Sequence, residues 1–123
     1  MGIFTIYTCD AGFRFELKDS QGNILVASQE YRGLLSCRKG VDSVIRNTPR
    51  ARIEDETDGG PGGLLHPKFV IERDDEGLYS FHLKAKNGQS VVSSAQFGSK
   101  QDCLDTIAAV RAQIPGVKII ELK

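Results

Sequence analysis

The second half of the chain repeats the first half, and this repeat constrains the fold more than any other feature. A residue that serves a repeated fold appears twice, whereas a single catalytic site usually appears once. The repeated residues are therefore interpreted as parts of the fold, and the sequence does not disclose a biochemical activity. The matching positions, 66 residues apart, are Phe15, Leu17, Lys18, Gly22, Ser28, Tyr31, Cys37, Val44 and Pro49 with Phe81, Leu83, Lys84, Gly88, Ser94, Phe97, Cys103, Val110 and Pro115.

The length of the chain fits two small units that share one core. The sequence has 123 residues, and a unit of roughly 55 residues is only marginally stable by itself because it buries little of its surface. We expect a first unit at residues 1–55 and a second unit at residues 68–123. The segment between them, residues 56–67, is acidic and then Gly-rich, so it is expected to be a flexible linker.

The hydrophobic pattern predicts the same element order in both units, three strands, one helix and a last strand. In the first unit the strands are expected at residues 4–8, 13–18, 24–28 and 51–54, with a helix from about 33 to 47 that Ser36 caps. In the second unit they are expected at 69–71, 78–84, 91–94 and 117–122, with a helix from about residue 99. The apolar stripes of the two helices are Cys37, Val41, Val44 and Thr48, and Cys103, Ile107, Val110 and Ile114.

With these residues placed, the chain resembles the YegP-like family of small uncharacterised bacterial proteins in its tandem-duplicated form. The resemblance implies an α+β fold in which two tandem β-β-β-α-β repeats form one mainly antiparallel sheet, with exchanged C-terminal strands and two helices packed on one face. It also implies a monomer that contains an internal pseudo-dimer, and it brings no activity, substrate or cofactor. The segments that carry the resemblance are Arg14 to Lys18, Gly22 to Ser28, Tyr31, Gly40 to Val44, Tyr79 to Phe97, and Thr106 to Val110.

Charge and composition predict a soluble cytoplasmic protein. The formal net charge is zero, distributed as +3 over residues 1–53, −4 over residues 54–67 and +1 over residues 68–123. No apolar run approaches the ~20 residues that span a bilayer, the first residues lack a secretory signal, and three cysteines fit a reducing compartment. Weak nucleic-acid binding remains an alternative, although the positive charge is small; its candidate residues are Arg14, Lys18, Arg32, Lys84 and Lys86.

The cysteines and histidines do not form a recognisable metal or catalytic pattern. Cys37 and Cys103 lie on helix stripes and are expected to pack as small apolar residues, without the spacing of a metal site. Cys9 is expected to be exposed and unreactive. His66 is expected to be solvated, and His82 to point outward from the core. We therefore assign no catalytic residue, no metal and no cofactor.

The acidic residues before the glycines are interpreted as a solvated loop, because they lack the spacing of a calcium-binding loop. These residues are Glu54, Asp55, Glu56 and Asp58.

The uncovered sheet face is the most suggestive surface. If both helices cover one side, polar residues of two equivalent strands share the other side, which is either a solvated face or a recognition surface. The leading hypothesis is a non-enzymatic binding module for a protein or small-molecule partner, with Arg14, Lys18, His82 and Lys84 as the binding residues. The alternative is an enzyme whose site lies in a cleft at the junction of the repeats, with perturbed pKa values there. The polar residues expected on the uncovered face are Arg14, Glu16 and Lys18 from the strand at 13–18, and Ser80, His82 and Lys84 from the strand at 78–84.

Overall fold

The chain forms one eight-stranded sheet with two helices, which confirms the predicted α+β class. The computed structural model describes residues 2–57, 63 and 65–122. The elements are β1 (Ile3–Cys9), β2 (Gly12–Lys18), β3 (Ile24–Ser28), α1 (Leu34–Asn47), β4 (Arg52–Asp55), β5 (Lys68–Arg73), β6 (Tyr79–Lys84), β7 (Ser90–Ser93), α2 (Lys100–Gln113) and β8 (Lys118–Glu121).

The sheet is mixed, and its edges are formed by β4 and β8. The strand order is β4-β5-β6-β7-β3-β2-β1-β8. The β4–β5 and β1–β8 pairs are parallel, and the other five pairs are antiparallel. β8 therefore pairs with β1, the first strand of the chain, and β4 pairs with β5.

One face of the sheet is apolar because large side chains recur at every second residue of the strands. In the first unit Phe4 lies opposite Leu17, and in the second unit Phe69 lies opposite Leu83. All four side chains are fully buried in one cluster that also contains the apolar residues of both helix stripes. These are Cys37, Val41 and Val44 of α1, and Cys103, Ile107 and Val110 of α2 with its C-cap Ile114. Both helices therefore pack against this face and leave the other face without a helix.

The start of α1 differs from the prediction. The N-cap is Gly33, whose backbone is extended and provides no side-chain cap. The first helical hydrogen bond runs from the Cys37 N–H to the Gly33 carbonyl. The predicted cap Ser36 therefore lies inside the first turn of the helix and is not its N-cap. In α2 the predicted start is correct, because the Ser99 hydroxyl accepts a hydrogen bond from the Asp102 N–H at 3.2 Å.

The acidic segment is not the solvated loop that the sequence predicted. Glu54 and Asp55 belong to β4, and Glu54 is only 6% exposed. The reason is that β4 pairs with β5 along its whole length, which brings Glu54 beside buried residues. Asp58 and residues 59–62 lie outside the described residues.

Among the described residues, no helix has the length and apolar character needed to cross a membrane.

Candidate functional site

The sheet face opposite the helices carries the predicted binding residues, and we call it the open face. The open-face residues include Arg14, Glu16 and Lys18 of β2 and Ser80, His82 and Lys84 of β6, which alternate with buried residues of the core. Two strands, β3 and β7, separate β2 from β6. Three strand spacings correspond to about 14 Å, so these residues form two separate groups rather than one site.

The first group is centred on Tyr7, a β1 residue that the sequence analysis did not select. The Lys18 ammonium donates a hydrogen bond to the Tyr7 hydroxyl at 2.7 Å. The Arg14 guanidinium lies 5.3 Å from the centroid of the Tyr7 ring, within cation–π range. The strand alternation that selected Arg14 and Lys18 also places Tyr7 on this face, because Tyr7 pairs with Arg14 across the β1–β2 ladder. The signal for Tyr7 was therefore present in the sequence.

The contacts within this group favour the charged form of Lys18. The hydrogen bond to Tyr7 is the main cause that raises the pKa of Lys18. Arg14 also contacts Glu16, with 3.2 Å between Nη1 and Oε2, and the Arg14 side chain remains 40% exposed. The group thus presents one aromatic ring and two cations to solvent, and one carboxylate lies beneath them.

The second group surrounds His82, which is more buried than predicted. Its side chain is 16% exposed, with Nε2 3.9 Å from the nearest Glu72 carboxylate oxygen. His82 points away from the core, as predicted, but its side chain is largely covered because it lies in the middle of the sheet, between Val70 of β5 and Ser93 of β7. Burial is the main cause that lowers the pKa of His82, and the nearby ammonium of Lys84 also lowers it. The folded structure therefore favours the neutral imidazole, although the nearby Glu72 carboxylate opposes this shift of the pKa.

A buried ion pair lies beside this second group. Lys68 Nζ and Glu54 Oε2 are 2.8 Å apart, and their side chains are 9% and 6% exposed. The backbone N–H of Gly63 also donates to Glu54 Oε1 at 2.8 Å. A hydrogen bond with Glu54 is the main cause that raises the pKa of Glu56. Because Lys68 and Glu54 satisfy each other, this pair has a structural role rather than that of a free acid or base.

The helix cysteines are core residues, as predicted. Cys37 and Cys103 have no exposed surface. Burial raises the pKa of Cys37 to about 11 and also raises the pKa of Cys103, so both thiols are protonated at neutral pH and are poor nucleophiles. Cys9 is half-buried rather than exposed, because it ends β1 in register with Gly12.

A cleft lies between the end of α1 and the β6–β7 turn, and its lining does not match the perturbed pKa values that the enzyme alternative expects. The cleft has a volume of about 750 Å³ and lies between the end of α1, residues 66–67 and the β6–β7 turn. His66, which is exposed as predicted, lines it. His82 and Glu56, whose pKa values are perturbed, are not among its lining residues. Within the described ranges, no group of three or more metal-ligating side chains is present either.

Comparison with known proteins identifies one family. The family model described as "Domain of unknown function (DUF1508)" matches residues 10–55 and 74–121. These two matched segments fall one in each predicted unit.

The most similar relatives include proteins of full length and of half length. A UPF0339 protein encoded in the 5′ region of the ptx operon of Stutzerimonas stutzeri is 34% identical over 123 residues, covering 98% of this chain and 96% of the relative. A UPF0339 protein of Methanosarcina acetivorans is 36% identical over 56 residues, covering 46% of this chain and 97% of the relative. The solution NMR structure of the Escherichia coli protein yegP, described as of unknown function, superposes with a TM-score of 0.77 at 26% identity, covering 98% of this chain and 91% of that one.

Proposed function

The chain belongs to the DUF1508 family, which includes the UPF0339 and YegP proteins, and we propose that it is a non-enzymatic binding module. The open face contacts the partner, and the group of Tyr7, Arg14 and Lys18 is the anchor. The partner is a protein that presents an acidic segment. The nearby carboxylate of Glu16 fixes Arg14 and leaves Lys18 to face the partner.

The observation that carries this proposal is the composition of the Tyr7 group. Tyrosine and arginine are among the residues that are enriched at the energetic centres of protein interfaces. The Lys18 hydrogen bond holds the Tyr7 ring in place, so little side-chain entropy is lost on binding. The positions equivalent to Tyr7 and Arg14 in the second unit are Glu72 and Ser80, so the repeated fold does not require this group.

His82 and Lys84 are assigned a secondary role on the same face. Because the His82 side chain is 16% exposed, only the edge of its ring can contact a partner. Lys84 adds positive charge about 14 Å from the Tyr7 group. A partner that covers both groups would span the middle strands of the sheet.

The arrangement of the units also belongs to this proposal. We infer that residues 1–55 and 68–123 are two copies of one β-β-β-α-β unit that exchange their last strands, with residues 56–67 as the connection. The parallel β4–β5 and β1–β8 pairs support this, as does the half-length Methanosarcina relative. The chain is then a monomer with an internal pseudo-dimer, and its open face is continuous across both units.

Site-specific photo-crosslinking tests the proposal. A benzophenone amino acid replaces Ile24, which is 56% exposed and pairs with Lys18 on the open face. The control position is Leu35, which is 65% exposed on α1. After irradiation in native lysate, we expect a discrete protein product from position 24 that position 35 does not give.

The second arm of the experiment tests the residues themselves. The product from position 24 should be lost in the Arg14→Ala/Lys18→Ala variant and kept in the Arg32→Ala/Lys39→Ala variant, which removes the same charge from elsewhere. Identical products from positions 24 and 35 would contradict a specific open face. A crosslinked nucleic acid that salt releases would favour the nucleic-acid alternative instead.

A further inference from the structure

The cleft between the end of α1 and the β6–β7 turn concentrates basic side chains from three separate segments. Arg46 and Arg50 come from the end of α1 and the turn after it, His66 from the segment before β5, and Lys86 from the β6–β7 turn. All four side chains belong to exposed residues. The cleft volume of about 750 Å³ lies in the range of small-molecule sites, about 300–1,000 Å³.

No described carboxylate neutralises these cations. No acidic residue is among the described residues that line the cleft, and Arg46, Arg50 and Lys86 make no ion pair with any other described residue. This differs from the open face, where Arg14 contacts Glu16. The cleft therefore keeps a net positive charge for a ligand.

The cleft also has ordered polar groups beside the cations. The Asn47 amide donates to the carbonyl oxygen of Ser43 at 2.7 Å and to its hydroxyl oxygen at 3.0 Å, which fixes both side chains on the α1 side. The Ser43 hydroxyl, which accepts this bond, can still donate its own hydrogen to a ligand. Two kinds of donor, cationic and neutral, thus line the same wall.

The β6–β7 turn that carries Lys86 is held in one conformation. The Ala85 N–H donates to the Gln89 carbonyl, and the Gly88 N–H donates to the Ala85 carbonyl, both at 2.9 Å. Gly88 has a φ of +84°, and the His66 ring lies 3.6 Å from where a Cβ on Gly88 would be. The turn and His66 are therefore packed together, and the wall of the cleft is preformed.

The second unit does not repeat these residues. The positions equivalent to Arg46 and Arg50 are Ala112 and Gly116, and the position equivalent to Lys86 in the first unit is Ser20. A cation near the end of a helix is favoured by the helix dipole, which accounts for Arg46 alone. It does not account for Arg50 or Lys86, so the fold does not require this set.

We propose that this cleft binds a small phosphorylated molecule that carries at least two negative charges. Guanidinium groups form paired hydrogen bonds with phosphate oxygens, and an ammonium such as that of Lys86 binds phosphate as a point charge. Three cations around one cleft match the charge of a pyrophosphate or a phosphate ester. A smaller neighbouring cleft shares Arg50 and His66 and adds Arg52, which leaves room for the rest of the ligand.

Titration of the full chain with sodium pyrophosphate at constant ionic strength tests the proposal, monitored by amide NMR. We expect saturable shifts at the amides of Arg46, Arg50 and Lys86, with the open-face amide of Tyr7 unchanged. The Arg46→Gln/Arg50→Gln/Lys86→Gln variant should weaken binding by about tenfold or more, because it removes the charge-assisted hydrogen bonds. The control variant Arg32→Gln/Lys39→Gln/Lys118→Gln loses the same charge elsewhere and should bind like the wild type.

Each outcome decides the proposal. Shifts that do not saturate, or an equal loss of affinity in the control variant, would overturn a specific site. Citrate that binds as tightly as pyrophosphate would overturn the phosphate assignment, and binding of a single-stranded oligonucleotide without binding of pyrophosphate would overturn the small-ligand assignment. Lys86→Glu, a single exposed substitution, should also weaken the binding and serves as the second variant if the triple substitution perturbs the spectrum.

Discussion

Tyr31 lies against the backbone of Gly40, so closely that a Cβ on Gly40 would come within 2.5 Å of the Tyr31 hydroxyl oxygen and 3.0 Å of the Phe15 ring. Tyr31 in turn stacks on Phe15, with ring centroids 6.3 Å apart. The closeness of α1 to the sheet therefore depends on the missing side chain of Gly40. The equivalent pair in the second unit is Thr106 and Phe97, where the helix residue is larger and the ring lacks a hydroxyl.

We predict that Gly40→Ala lowers the free energy of unfolding by about 1 to 2 kcal/mol, because overpacking outweighs the better helix propensity of alanine. In the Tyr31→Phe background the loss should be smaller, because the Tyr31 hydroxyl oxygen, the atom nearest to the added Cβ, is absent. Urea unfolding of the double-mutant cycle measures both values. Gly98→Ala, where a Cβ would meet nothing within 4 Å, is the control, and a loss at Gly98 equal to that at Gly40 would refute the packing argument.

The buried Lys68–Glu54 pair predicts an asymmetric response to substitution. Lys68→Met leaves the Glu54 carboxylate buried without its cation and should cost about 3 to 5 kcal/mol of unfolding free energy. The Lys68→Met/Glu54→Leu variant should lose less than Lys68→Met alone, because no unpaired charge remains. Equilibrium unfolding in urea measures both variants. A loss below 1 kcal/mol for the single variant would mean that solvent reaches Glu54 despite its 6% exposure.

The pH dependence of stability should carry a contribution from His82. Burial holds the folded pKa of His82 below its unfolded value of about 6.5, so folding favours the neutral imidazole. This contribution is fully present above the unfolded pKa and is lost as the pH falls through the folded pKa. Urea unfolding between pH 7.5 and pH 5 should show a smaller decrease in stability for His82→Gln than for the wild type. His66→Gln is the matched control at an exposed imidazole, and equal pH curves for His82→Gln and the wild type would contradict the prediction.

The last strand should stabilise the first unit. β8 pairs in parallel with β1, from Ile3 opposite Lys118 to Ile6 opposite Glu121, and the Leu122 N–H donates to the Ile6 carbonyl at 2.8 Å. Truncation after Pro115 should therefore speed hydrogen exchange at β1 amides as well as at α2 amides. Amides of β5, on the far side of the sheet, are the internal comparison. Faster exchange confined to residues 68–115 would contradict the exchange of strands.

The local sequence pattern was sufficient to predict the strands and helices and to assign residues to the two faces of the sheet. Alternation assigned Phe15 and Leu17 to one face and Arg14 and Lys18 to the other, and helical spacing placed Cys37 in the core. These features depend on residues that are close in sequence, so they can be read before any long-range contact is known.

The features that the sequence analysis missed depend on long-range contacts. The burial of His82 comes from Val70 and Ser93 in the neighbouring strands, and Glu54 is buried because β4 pairs with β5. The basic cleft brings together three segments that are distant along the chain. Tyr7 is the exception, because alternation placed it on the open face and only its contact with Lys18 was unforeseen.

The most direct test of the proposed function measures stability and crosslinking on the same samples of the Arg14→Ala/Lys18→Ala variant. Arg14→Ala removes the cation beside the Glu16 carboxylate, whose side chain is 9% exposed, and Lys18→Ala removes the hydrogen bond to Tyr7, so urea unfolding should show a loss of stability. We predict a variant that is less stable but still folded, and that no longer forms the product from position 24. A folded variant that forms the product in full would contradict the assignment of the partner to the Tyr7 group.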